Sequence, residues 1–301
     1  MTLLRSQDLF PAEAARGWIP WGALAPFLAL AFVIATALSG DLLIAKFVNM
    51  SPEGDPLDPT ALVAFTLVSF GFLLLLLLAW VRFVERRPIT SIGIRGEHQV
   101  REFLRGHVLG VAGLSGIVIV IWMAGGLRLT GIAPALSQPA SLVPILLLLF
   151  TFALQSGVEE LLFRGWLLSV LAKKFNVPIA VIVSSALFSL VHFDRHAHWL
   201  VSVSTFLFGL FACAWVLRTR SLLGVMGWHA GWNWLLAIGF GLPLSGLDVG
   251  IPALLLDLQA VGPAWLTGGP QGPEASVVCF GYFVLGIVLM RLQPGKSSIA
   301  S

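Results

Sequence analysis

Charge is what this sequence most lacks. Lys, Arg, Asp and Glu make up 11% of the 301 residues, where a soluble domain carries roughly a quarter. Hydrophobic residues make up 57%, and the mean hydropathy is +0.92. That composition excludes a soluble globular domain and indicates an integral membrane protein. Cysteine is nearly missing: Cys213 and Cys279 both lie in apolar runs, which excludes a disulfide framework and leaves them as small hydrophobes. Tyrosine occurs once, against 21 Phe and 11 Trp. Trp18, Trp21, Trp80, Trp199 and Trp228 fall near expected helix ends, where aromatic belts form. No internal repeat pairs the two halves of the chain. Arg5 and Arg16 precede an apolar run from Trp18 that is too long for a signal-peptide core and carries no cleavage site, so it reads as a retained first span.

A spanning helix needs about 20 apolar residues. That ruler marks eight candidates, at about 19–40, 60–83, 106–127, 141–163, 178–193, 198–217, 221–240 and 275–291. The fifth and eighth are short, and "WLLSVLAKKF" extends the helical pattern of the fourth through 164–174. The expected fold is all-α: a polytopic transmembrane bundle of about eight spans.

The net charge of +3 and the isoelectric point near 9.2 come from short loops and call for no nucleic-acid partner. Fifteen of the eighteen Lys and Arg fall on one set of alternating sides, and only Lys46, Arg128 and Arg195 fall on the other. By the positive-inside rule both termini are cytoplasmic, as an even number of spans requires. Residues 84–105 read as a basic juxtamembrane loop lying on anionic headgroups. Residues 241–274 contain no Lys or Arg but many Gly and Pro, which suits an interfacial or re-entrant lid.

Ionisable residues inside a membrane cost about 2.5–3.5 kcal/mol each at the centre of a span, so their positions carry information. Spans one to three hold little beyond Asp41 and His107, whereas spans four to seven hold Glu159, Glu160, Arg164, His192, His229 and Asn233. Glu160 and Arg164 are four residues apart, share a helix face and can form an ion pair. Glu159 points about 100° away and is not explained by that pair. "HAGWN" puts His229 and Asn233 on one face, and "FSLVH" does the same for Phe188 and His192. A carboxylate, two imidazoles and an amide suit peptide hydrolysis. A buried glutamate can activate water, a histidine can orient it or shuttle its proton, and His and Asn donors can hold a tetrahedral oxyanion. His192 and His196 also show the i, i+4 spacing of a metal-binding helix face, but His196 and His198 lie in a short outer connection and read as interfacial.

"EELLFR" (Glu159 to Arg164), "FSLVH" (Phe188 to His192) and "HAGWN" (His229 to Asn233) resemble the EExxxR, FxxxH and HxxxN motifs of the CPBP family. That family comprises CAAX-processing proteases of the Rce1 type, bacteriocin-processing enzymes and Abi-type immunity proteins. The resemblance covers about residues 140–293, a protease core, preceded by N-terminal spans and the basic loop in 1–139 and followed by a cytoplasmic tail, 294–301. It implies an intramembrane endopeptidase acting on a membrane-anchored protein or peptide, with the lipid bilayer as its other partner. Carried over by position, Glu159 would activate water with His192, His229 and Asn233 would form the oxyanion hole, and Glu160 and Arg164 would support them. No cofactor follows with certainty; zinc held by Glu160, His192 and His229, with an open position for water, is the metal-dependent alternative. The size and short loops fit a bacterial inner membrane. Two other classes share these residues: a proton-coupled transporter and a non-catalytic immunity-type membrane protein. The oligomeric state is not encoded in any of these features.

Overall fold

The computed structural model describes residues 9, 15–44, 46–51, 56–95, 97–193, 199–248 and 250–292, with only the backbone described at 39–42. The tail 294–301 and the residues Arg195, His196 and His198 lie outside the described residues, as does the side chain of Asp41. The chain is mostly helical, and each of the eight expected segments falls on a helix. The first three are α1 (Ala25–Ile44), α2 (Pro59–Ala79) and α3 (Gln99–Met123). Then come α4 (Leu142–Glu160), α5 (Leu168–Lys174), α6 (Val177–Val191), α7 (Trp199–Thr219) and α8 (Leu223–Trp234). A short α9 (Ala264–Thr267) and α10 (Val277–Leu292) complete the series. Among the described residues, four helical stretches are long and apolar enough to cross a membrane: Pro59–Val84, Gln99–Met123, Pro139–Lys174 and Trp199–Thr219.

Local chemistry accounts for several boundaries. Asp58 caps α2 by accepting from the Ala61 N–H at 2.8 Å, and Pro59 occupies the first turn, where no N–H is needed. That backbone bond first, and the Asn49 amide second, hold the Asp58 carboxyl below the ordinary carboxylate range. Asn176 caps α6 in the same way through the Ile179 N–H. The first helix starts at Ala25 rather than 19, because residues 22–24 form a turn closed on the Trp21 carbonyl. The third starts at Gln99 rather than 106 and stops at Met123, ahead of Gly125 and Gly126.

Among the described residues, three π-helical turns interrupt or extend the helices: Trp80–Val84 after α2, Leu161–Leu167 between α4 and α5, and Leu235–Gly239 after α8. The second keeps α4 and α5 in one continuous rod through Lys174, as the apolar pattern predicts. At 1.5 Å per residue the rod from Leu142 to Lys174 is about 50 Å long, well beyond a hydrocarbon core of about 30 Å.

The all-α bundle carries one small ribbon among the described residues: β1 (Leu127–Ile132) pairs antiparallel with β2 (Leu256–Ala260), with a bulge between Leu129 and Gly131. Alternating apolar and polar residues on both strands let Arg128 donate to Gln259 and Thr130 to Asp257 across the ribbon. The basic loop is not simply solvated. Glu85 is fully buried and Arg87 nearly so, joined as an ion pair. Glu85 Oε1 also accepts from Trp80 Nε1 at 3.1 Å and Trp166 Nε1 at 2.7 Å. The polar head of this loop is therefore folded under the helices, and it grips the π-turn through Trp166.

α3 and α8 make the closest helix crossing. Gly106 and Gly110 on α3, and Gly227 and Gly231 on α8, form facing small-xxx-small steps that bring backbone against backbone. A Cβ added at Gly227 would lie 2.0 Å from the Phe103 carbonyl oxygen, and one at Gly110 would lie 2.1 Å from that of Trp228. Gly227→Ala is therefore expected to destabilise the fold by about 1–3 kcal/mol, the usual cost of overpacking, read as a lower thermal midpoint in detergent.

Candidate active site

Each of the polar residues expected from the sequence is delivered by a helix with a local reason for its position. Glu159 and Glu160 end α4, immediately before the π-turn Leu161–Leu167 that carries Arg164. Turns of this kind occur mostly as single-turn bulges inside α-helices, frequently at functional sites. Here it is braced from outside: the Ser184 hydroxyl donates to the Phe163 carbonyl at 2.9 Å, and Gly165 lies against the Ile92 carbonyl with no space for a side chain. His192 terminates α6. His229 and Asn233 lie on α8, on the stretch pressed against α3.

Glu160 and Arg164 are both fully buried and paired at 3.1 Å. The guanidinium also lies over two rings, 4.1 Å from the centroid of Phe188 and 4.9 Å from that of Phe208. Its Nε and Nη2 have no hydrogen-bond partner among the described residues. One carboxylate oxygen and two aromatic faces thus hold a cation inside an apolar bundle. His229 Nδ1 lies 3.0 Å from the same Glu160 Oε1. An ionised carboxylate only accepts, so Nδ1 carries the proton and donates it. The other ring nitrogen, Nε2, faces Glu159 Oε2 at 3.9 Å. His229 therefore stands between the two adjacent glutamates, one at each nitrogen. The sequence put those carboxylates on different helix faces; the imidazole joins them.

His192 is fixed differently. Its Nδ1 lies 2.8 Å from the Phe188 carbonyl, which can only accept, so Nδ1 is the protonated nitrogen and Nε2 keeps a free lone pair. The imidazole also packs on the Phe188 ring, with centroids 4.3 Å apart. Phe188 thus serves three purposes: it sets the His192 tautomer, stacks on its ring and carries Arg164. The Asn233 amide is 3.5 Å from the buried Ser156 hydroxyl, a long contact that leaves its donors available.

Glu159, His192, His229 and Asn233 all line one cavity of about 430 Å³, between α2, α4, α6, α7 and α8. The segment after α8 forms part of its wall, contributing Leu244, Ser245, Gln271 and Glu274. Sequence reasoning left Glu274 without a role. Its Oε1 accepts from Trp232 Nε1, and its Oε2 from both the N–H and the hydroxyl of Ser245, each at 2.9 Å. Its backbone carbonyl accepts from Ser204 on α7. The segment read as a lid is thus a wall of the cavity, fastened by one carboxylate to the helix that carries His229 and Asn233. The available signal was an acid in a stretch with no basic residue to pair with it.

The zinc set offered by the sequence does not fit this arrangement. Among the described residues, no group of three or more His, Cys, Asp and Glu side chains is placed to hold a metal ion.

Residues 141–235 match the family model described as type II CAAX prenyl endopeptidase Rce1-like. All six polar motif residues, from Glu159 to Asn233, fall inside that stretch. No curated protein matches the chain. Over residues 141–235, then, this integral membrane protein is similar to the Rce1-like type II CAAX prenyl endopeptidases.

Proposed function

We propose that the chain is an intramembrane endopeptidase that hydrolyses a peptide bond of a membrane-anchored substrate. The observation that carries this reading is the convergence of Glu159, His192, His229 and Asn233 on one cavity walled in part by the segment after α8. Glu159 takes a proton from a water molecule, and His192 orients that water through its unprotonated Nε2. The hydroxide attacks the scissile carbonyl carbon, and the C–O double bond opens to an oxyanion. Asn233 donates to that oxyanion through its amide, and His229, entering the step as an imidazolium, donates through Nε2 while its Nδ1–H stays on Glu160. The proton held by Glu159 then passes to the leaving nitrogen as the C–N bond breaks, giving a carboxylic acid and an amine. Glu160 keeps His229 Nδ1 protonated and the ring turned toward Glu159, while Arg164 fixes Glu160. A positioned acid–base group and each oxyanion donor contribute about 10²–10⁴-fold and 10²–10³-fold, respectively.

In this reading eight helices cross the membrane with both termini cytoplasmic, in a bacterial inner membrane, and 241–274 covers the cavity from the outer side. Residues 1–139 supply scaffold spans, and 140–293 the protease core. The test uses purified protein in detergent with two probes, a farnesylated CAAX-type peptide and an unprenylated peptide with a single spanning anchor. His229→Ala is expected to slow cleavage about 10²–10³-fold. A strong chelator is expected to leave the rate unchanged. Loss of activity on chelation, restored by added zinc, would instead assign Glu160, His192 and His229 to a metal.

A further inference from the structure

Gln155 stands one helical turn before Glu159 on α4, on the same face, and lines the same cavity. Its Oε1 is shut off from solvent and has no hydrogen-bond partner among the described residues. Three other cavity-lining polar groups are held by the protein: His229 by Glu160, His192 by the Phe188 carbonyl and Glu274 by Trp232 and Ser245. A buried amide acceptor left unpaired is a standing cost, and in native proteins each such group needs an explanation.

We infer that Gln155 binds the main chain of the substrate. The inference rests on the peptidase reading and specifies which part of a polypeptide the cavity grips. A turn about the terminal bonds of the side chain brings its amide to face the cavity. An amide carries both a donor and an acceptor, and a peptide group carries the complementary pair. The four residues between Gln155 and Glu159 span about 6 Å along the helix. Two residues of extended chain span about 6.6 Å, and peptide groups two residues apart point the same way. A substrate strand lying along α4, with its scissile carbonyl at Glu159, therefore presents to Gln155 the peptide group two residues from the bond that is cut. The contact reads backbone and not side chain, so it selects an extended, unfolded segment whatever its sequence.

The test compares wild type with Gln155→Met on the farnesylated CAAX-type peptide, and on two versions of it N-methylated two residues to either side of the cut. Removing an unpaired buried group in favour of an apolar side chain of the same shape is neutral or stabilising, so the thermal midpoint of Gln155→Met should equal or exceed that of wild type. Its kcat/KM should fall about tenfold, the value of one hydrogen bond. One of the two N-methylated peptides should lose a similar factor with wild type and nothing further with Gln155→Met. A lowered thermal midpoint would overturn the inference by making Gln155 structural. Unchanged kcat/KM, or losses that multiply for both methylated peptides, would also overturn it while leaving the peptidase reading intact. If wild type does not cut the peptide, it is the peptidase reading for this probe that fails. Equilibrium binding of the same labelled peptides then carries the comparison, with the same tenfold criterion.

Discussion

Replacing Glu159 by glutamine is expected to slow hydrolysis about 10²–10⁴-fold while leaving thermal unfolding unchanged. Glutamine has the shape of glutamate and fills the same part of the cavity wall but cannot take a proton from water. The stability side follows from the surroundings: Glu159 makes no hydrogen bond to another described residue, and the ring nitrogen that faces it, His229 Nε2, lies 3.9 Å away. A carboxylate so loosely held contributes little to the fold, so its role is in the reaction. Rates and thermal midpoints measured on the same detergent preparation check both halves. A parallel loss of stability and activity would mean that the residue holds the bundle together.

The second large effect has the opposite balance. Arg164→Met is expected to destabilise the protein by about 3–5 kcal/mol, because it strands the Glu160 carboxylate without its cation inside the bundle. Glu160→Gln combined with Arg164→Met should recover most of that loss. A buried ion pair replaced as a unit by uncharged side chains of similar volume is often neutral in stability. The two substitutions touch, so their effects should not add. Activity should remain low in the double variant, since His229 Nδ1 has then lost the ionised acceptor that fixes its proton and orientation. Thermal unfolding of the two single variants and the double variant separates the structural part of this pair from its part in the reaction.

How much of this was legible in the sequence depends on how local each interaction is. The Glu160–Arg164 pair and the shared face of His229 and Asn233 follow from one helical turn, and the structure has both. The role of Phe188 could be read only as helix spacing, because its carbonyl and ring act on two different helices. The α3–α8 crossing was written in "GHVLG" and "GWHAG", but either stretch alone is two glycines in an apolar helix and gains meaning only when the two face each other. The β-ribbon was hidden by a ruler set for spans: counting apolar residues carried the third helix through Leu127, across the alternation in "LRLT" that pairs with "LDLQ". Glu85 looked like one more charge in a basic loop, because nothing in "VERRP" reveals that two tryptophans converge on its carboxylate. Glu274 reaches Trp232 across 42 positions, beyond any local pattern.

The most direct measurement is hydrolysis in H₂¹⁸O by the protein reconstituted in liposomes, with the product identified by mass spectrometry. The account predicts one ¹⁸O in the new carboxyl group formed by wild type, and product from Glu159→Gln reduced about 10²–10⁴-fold. The same labelled product, formed at an undiminished rate by Glu159→Gln, would contradict it.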